Sequence, residues 1–164
     1  MNIAKRFVLI FVVLVLCVGC DQTTKSVAKS FLPETGTWSF LGDTVRLQLV
    51  HNYGGFLSFG ASLPEPWRQG IFSVGVGCIL LALLGYTLFS KLAPPSVVLA
   101  YALLFAGGVS NLTDRLVYGG YVVDFINIGI GSLRTGIFNI ADVAITAGGG
   151  ILIAGMLRAQ NKSF

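Results

Sequence analysis

The sequence predicts a membrane-embedded all-α fold: four transmembrane helices, with a small β-containing insert outside the bilayer between helices 1 and 2. Three observations carry this. The chain is 164 residues long, 54% hydrophobic and only 11% charged, and its apolar runs are too many for so small a soluble globule to bury. Four of those runs approach the roughly 20 residues that a spanning helix needs. The charges, finally, sort themselves by the side of the membrane on which each connecting segment must lie.

The first run extends from Phe7 to Cys20 behind Lys5 and Arg6 and continues past Asp21 towards Lys25. The second covers Gly70 to Phe89; the third follows Lys91 and the Pro94-Pro95 pair and covers Val97 to Leu112; the fourth covers Ile137 to Leu157, ahead of Arg158 and Lys162. The helices are therefore expected at about residues 7–25, 70–89, 97–112 and 137–157, glycine being common in membrane helices. The chain 1–164 reads as a single polytopic membrane domain.

Between the first two helices, residues of about 26–68 form the one stretch of ordinary soluble composition. Within it Thr44 to His51 begins by alternating apolar and polar residues, which predicts a short strand, and Gly54, Gly55 and Gly60 break it. Trp38, Phe40, Phe56, Phe59 and Trp67 lie nearby. They fit either an amphipathic structure on the membrane surface, where aromatic rings favour the boundary, or the packing of a small cap. A second outer segment runs from Thr113 to Gly136. Gly107, Gly108, Gly148, Gly149 and Gly150 are expected to let helices 3 and 4 approach closely.

With four crossings both termini share one side with the turn at Lys91. That side holds Lys5, Arg6, Lys91, Arg158 and Lys162 and no acid, so it is expected to be cytoplasmic. Asp21, Glu34, Asp43, Glu65, Asp114, Asp124 and Asp142 then all lie in outer segments or at outer helix ends. The net charge of +4 reports topology and gives no sign of nucleic-acid binding.

Two other readings of the N-terminus compete. Val18-Gly19-Cys20 after an apolar run resembles the end of a cleaved lipoprotein signal, but three more spanning segments follow. Cys17 and Cys20 form a C-x-x-C pair, but within a membrane helix; together with Cys78 they read as small apolar residues.

The chemistry is expected at the outer end. A carboxylate in a membrane helix costs a few kcal/mol and persists where it has a partner or a task. Asn111 and Asp114 are three apart at the end of helix 3, and Asn139 and Asp142 are three apart at the start of helix 4, so each pair shares a helical face. Asp124 sits between two valines and Phe125. Apolar surroundings and a second carboxylate both raise a carboxyl pKa, and two acids sharing a proton can activate water while protonating a carbonyl. Asp124 and Asp142 are the favoured pair, because neither has a basic neighbour in sequence. Asp114 has Arg115 and reads as a structural ion pair or an interfacial anchor. Capping serves the same residue types, with Asn139 placed as the N-cap of helix 4, so spacing alone leaves both uses open. His51 is the only histidine and reads as a strand-end residue; no metal-ligand cluster and no serine-nucleophile motif is evident.

Five ordered segments, Asp21-Gln22-Thr23-Thr24-Lys25, Asn52-Tyr53-Gly54-Gly55-Phe56-Leu57-Ser58, Asn111-Leu112-Thr113-Asp114-Arg115, Val122-Val123-Asp124-Phe125 and Phe138-Asn139-Ile140-Ala141-Asp142, together resemble the bacterial lipoprotein signal peptidase (signal peptidase II) family. The resemblance implies an aspartic endopeptidase of the inner membrane that removes the signal peptide from diacylglyceryl-modified prolipoproteins by cutting before the lipidated cysteine, with no metal or organic cofactor. It places catalytic roles on Asp124 and Asp142. Supporting roles, orienting the pair or holding substrate backbone, fall on Asp21, Asn52, Asn111, Asp114, Arg115 and Asn139. It further implies lipidated prolipoprotein and membrane lipid as partners, no nucleic acid, a monomer, and a flap-like helix over the site. Ser110, Tyr53, Gly55 and Gly136-Ile137 depart from the family's usual residues. The competing class is a small proton- or ion-coupled transporter subunit, whose acids would line a path to both faces; a third reading, a membrane anchor or assembly factor, leaves the Asn-x-x-Asp spacing without a role.

Overall fold

The computed structural model describes residues 1–90 and 93–161. Lys91 and Lys162, which contribute to the orientation argument, lie outside the described residues. Among the described residues, four helices are long and apolar enough to cross a membrane: α1 (Ile3–Phe31), α2 (Glu65–Phe89), α3 (Pro95–Val117) and α4 (Ile140–Gln160). A four-stranded antiparallel sheet of β1 (Trp38–Phe40), β2 (Val45–Asn52), β3 (Val122–Ile130) and β4 (Leu133–Arg134), in that order, sits at one end.

The first three helices run past their apolar stretches for local reasons, whereas α4 begins at Ile140, three residues later than expected, because Phe138 pairs with Ile126 and Asn139 caps the helix. At the start of α1 the Asn2 side chain accepts from the Lys5 backbone N–H. The helix ends where Leu32, preceding Pro33, turns to an extended ψ of 139°, because a proline excludes the helical conformation from the residue before it. α2 starts five residues earlier than its apolar run, with Pro66 in its first turn, and passes through a π-helical stretch at Gly70–Gly75. Pro95 opens α3, as suits a residue with fixed φ and no N–H to leave unpaired. Past its end, Gly119 and Gly120 adopt positive φ and turn the chain into β3.

α3 is the central helix, packed against all three others. Small residues make this possible. A Cβ on Gly107 would stand 2.5 Å from the Ala141 carbonyl oxygen, and one on Gly148 would stand 2.7 Å from that of Ala100, so backbone meets backbone between α3 and α4. Gly108 instead faces Leu80 of α2, and Gly149 and Gly150 meet nothing within 4 Å. The close approach expected of five glycines is thus made by Gly107 and Gly148.

The sheet is more than a feature of the insert. β2 pairs along its length with β3, from Val45 opposite Ile128 to Asn52 opposite Val122, with an irregularity between Leu47 and Val50. Asp124 therefore lies in a strand, a placement the sequence left as connecting segment. Leu47, Leu49 and Ile126 of the sheet pack on Ala28, Leu32 and Phe125, fastening the sheet to the end of α1. Trp38, Phe40, Phe56, Phe59 and Trp67 are all exposed, which removes the cap-packing alternative and fits rings facing the membrane boundary. Cys17, Cys20 and Cys78 are free thiols. His51 is in β2, its ring stacked 4.2 Å from that of Tyr121.

At the end opposite the sheet, Arg6 is 2% exposed. Its guanidinium donates to the carbonyl oxygens of Thr87 and Ala93 at 2.9 and 3.3 Å. The sequence uses Arg6 only as a flank of the first apolar run and a marker of the cytoplasmic side; the fold also uses it to satisfy carbonyls at the turn between α2 and α3.

Candidate active site

β2, β3, α3 and α4 converge on a cavity of about 350 Å³ whose polar lining is Asn52, Asn111, Arg115, Asp124, Asp142 and Thr146. Phe56, Phe72, Val76, Val122 and Ile145 supply apolar wall. A second, almost wholly apolar cavity of about 660 Å³ lies on the other side of Asp142, between β4 and α4, and shares Phe56 and Thr146 with the first.

Asp124 comes from β3, where a run of valine, phenylalanine and isoleucine buries both faces of the strand; the residue is 2% exposed. Asp142 comes from the first turn of α4. There Asn139 is the N-cap: its Oδ1 accepts from the Asp142 N–H at 3.0 Å, while Asp142 Oδ2 accepts from the Asn139 N–H at 3.2 Å, a reciprocal capping box. The capping role open to Asn139 from spacing is thus real, and it coexists with a second one.

Three amides meet the two carboxylates, and the orientation of each is fixed from behind. Asn139 spends its oxygen on a backbone N–H, which cannot act as an acceptor, so its Nδ2 must point away and donates to Asp124 Oδ1 at 2.6 Å. Asn52 spends its oxygen on the Gly54 N–H and donates through Nδ2 to Asp124 Oδ2 at 2.9 Å. Asn111 turns its oxygen to the Lys25 ammonium at 3.0 Å, leaving Nδ2 to donate to Asp142 Oδ1 at 2.9 Å. Asn139 also links the two supports by donating to Asn111 Oδ1 at 3.1 Å. Both carboxylates are held as acceptors. Burial pushes the Asp124 carboxyl up to about 7, opposed by the amide bonds from Asn52 and Asn139 and reinforced by the neighbouring charge of Asp142.

Asp114 corrects an expectation. Its cationic partner is Lys25, at 2.8 Å, and its other contacts are Gln22 Nε2 at 2.7 Å and the Val123 N–H at 3.0 Å. Arg115 donates instead to the carbonyl oxygens of Gly54 and Asn111, and its buried Nε–H meets no acceptor among the described residues. The helical face is the reason: adjacent residues point about 100° apart on a helix, so Asp114 and Arg115 do not face each other. Asp21, fully buried on α1, accepts from the Ala141 N–H at 2.9 Å and from Ser110 Oγ at 2.6 Å. The serine that departs from the family pattern thus supplies Asp21 with a donor.

All eight residues singled out from the sequence fall in this one network. Sequence reasoning left out Lys25, Gln22 and Ser110. Lys25 had a legible signal, four residues after Asp21 and hence on the same helical face; Gln22 and Ser110 act across helices and had none. Among the described residues no group of three or more histidine, cysteine or carboxylate side chains is arranged to hold a metal ion.

The model of signal peptidase (SPase) II matches residues 13–158. The chain is 31% identical to a lipoprotein signal peptidase of Francisella tularensis subsp. novicida over 99% of this chain and all of that one. To one of Chlorobium phaeobacteroides (strain DSM 266) it is 37% identical, over 90% of this chain and 86% of the relative. Its fold is similar to a bacterial membrane enzyme solved by the in meso method at 2.3 Å, with a TM-score of 0.81 and 26% identity over 94% and 91% of the two chains. A second such enzyme, solved at 1.9 Å, aligns with a TM-score of 0.75 and 27% identity over 90% and 92%. With a family match over most of its length and curated relatives above 30% identity end to end, this four-helix chain belongs to the signal peptidase II family of bacterial membrane enzymes.

Proposed function

We propose that this chain is an aspartic endopeptidase that removes the signal peptide from diacylglyceryl-modified prolipoproteins by cutting before the lipidated cysteine, with Asp124 and Asp142 as the catalytic pair. The observation that carries this is the pair itself: two carboxylates from different elements line one cavity, bridged by amides that present only donors to them.

One aspartate, ionised, takes a proton from water as the hydroxide adds to the scissile carbonyl carbon; the other, protonated, gives its proton to the carbonyl oxygen. The tetrahedral species collapses when the proton gained by the first aspartate passes to the departing nitrogen, the carbon–nitrogen bond breaks, and a hydroxyl of the diol returns its proton to the second aspartate. A carboxyl raised to about 7 on Asp124 suits either role near neutral pH. Arg115, with a guanidinium N–H that meets no acceptor among the described residues, is suited to hold a substrate backbone carbonyl beside the pair. The apolar cavity across Asp142 suits lipid chains.

The lipid-modified substrate reaches the site by lateral diffusion, with the short helix at Phe56–Ser58 and the start of α2 as the flap over it. Both termini lie in the cytoplasm and the sheet end faces outward, in line with the basic residues at the termini. The chain acts as a monomer, without nucleic acid and without a metal or organic cofactor. A transporter would need ionisable groups along a path to both faces, whereas Asp21, Lys25, Asp114, Asp124 and Asp142 gather at the sheet end.

The test follows cleavage of a lipidated prolipoprotein by gel shift, using wild type, D124N and D142N that remain folded in detergent. Both variants are expected to bind substrate and fail to cut it. Near wild-type turnover in either one, or a wild type that cleaves nothing, overturns the assignment.

A further inference from the structure

We propose that Lys25 is a positioning residue for the pair: from α1, its buried ammonium sets the placement of Asp124 and Asp142, which stand on two separate elements. The proposal rests on the aspartic reading of the site given above.

Lys25 is 1% exposed and lines neither cavity beside Asp142, so it does not touch substrate. An ammonium has three N–H donors and no acceptor. Three acceptors receive them: Asp21 Oδ2 at 2.7 Å, Asp114 Oδ2 at 2.8 Å and Asn111 Oδ1 at 3.0 Å. Each leg of this tripod leads to the pair. Asp21 holds the N–H of Ala141, the residue before Asp142, and Asp114 holds the N–H of Val123, the residue before Asp124. Asn111 reaches Asp142 Oδ1 with its own amide.

The third leg makes the cation specific. With an ammonium at its back, Asn111 can only turn its oxygen that way and its N–H donors towards Asp142. A neutral residue at position 25 leaves only the Asn139 amide, at 3.1 Å, to hold that orientation, and a flipped Asn111 amide would set oxygen against the carboxylate. Lysine is also the compact choice. A planar guanidinium cannot meet three acceptors in a tripod.

A buried ion pair kept only for folding would lower stability on removal without altering the chemistry of folded protein. The two roles therefore separate in kcat and in its pH profile. The groups facing the pair are Lys25 and Asp21 from α1 and Asp114 and Arg115 from α3. Removing Lys25 takes away a cation that favours ionised Asp124, so the acid limb of the kcat profile is expected to move to higher pH.

The experiment compares K25M with wild type, and the D21N/K25M variant with D21N, by kcat, KM and pH profile on a lipidated prolipoprotein. The double variant carries the same net charge in the cluster as wild type and so guards against an added uncompensated buried carboxylate. Folding is checked by thermal unfolding in detergent. Expected is a fall in kcat of about 100-fold, the scale of a misplacement of about 1 Å, with KM within about threefold and the acid limb shifted upward. A kcat and profile like the parent's, or loss of folding in both variants, assigns Lys25 to the fold alone and overturns the proposal. D124N and D142N run alongside: turnover in either sinks the aspartic reading, whereas two dead aspartate variants with a fully active K25M sink only the role of Lys25.

Discussion

Asn139 donates its side-chain amide to Asp124 Oδ1 at 2.6 Å from the N-cap of the helix whose first turn carries Asp142. One residue thus ends a strand-to-helix connection, caps α4 and spans the two carboxylates, and its two side-chain atoms cannot exchange roles, because the Asp142 N–H demands the oxygen.

Replacing Asn139 with alanine should therefore do two separable things. Loss of the cap is expected to cost about 1 kcal/mol of stability, read as a lower unfolding temperature in detergent. Loss of the donor to Asp124 should lower kcat by about 100-fold, the scale seen when one preorganised donor is removed from an active site. An Asn139→Ala variant with unchanged kcat would show that the bridge is structural only.

The Asp124 carboxyl, held at about 7 by burial, gives stability a definite dependence on pH. Below the unfolded value near 4 both states carry the proton, and the group contributes nothing. Between that value and about 7 the unfolded chain releases its proton while the folded one keeps it, so stability falls as pH rises, and the penalty is complete above about 7. Asp124→Asn removes the penalty. Its unfolding temperature should match the wild type's near pH 4 and exceed it at pH 8; equal values at both would contradict the buried, proton-retaining state.

Helix contact through Gly107 predicts a contrast between two glycines. Gly107→Ala places a Cβ 2.5 Å from the Ala141 carbonyl oxygen, must separate α3 from the first turn of α4, and should cost about 1–3 kcal/mol together with most of the turnover. Gly149→Ala meets nothing within 4 Å and should stay within about 0.5 kcal/mol of wild type with full activity. Unfolding temperature and cleavage rate, measured side by side, check both.

Arg6 tests the independence of the far end. Arg6→Met strips the carbonyls of Thr87 and Ala93 of their donor, a loss of about 1–3 kcal/mol for buried groups left unpaired. The residue lies at the opposite end from the cavity, so kcat of the folded variant should equal the wild type's. A matching loss of kcat would tie that end to the site.

The amino-acid sequence by itself determined the four helices, because an apolar run of spanning length has one way to satisfy its backbone in lipid. Polar groups against hydrophobic surroundings and the Asn-x-x-Asp spacing brought forward Asn111, Asp114, Asp124, Asn139 and Asp142, while Asp21, Asn52 and Arg115 were brought forward by the resemblance of the five ordered segments to the signal peptidase II family. Local chemistry was legible too, down to Asn139 as the cap of α4. Only the tertiary structure decided what those groups touch. Pairing of β2 with β3 joins residues seventy or more positions apart, and it turned the surroundings of Asp124 from loop to strand. The pairing of Asp114 with Lys25 across two helices, in place of its neighbour Arg115, and the burial of Arg6 under carbonyls were likewise invisible beforehand. Periodicity tells which face of an element a residue occupies; which other face it meets depends on helix packing through Gly107 and Gly148 and on strand register, and neither is written in the spacing of one segment.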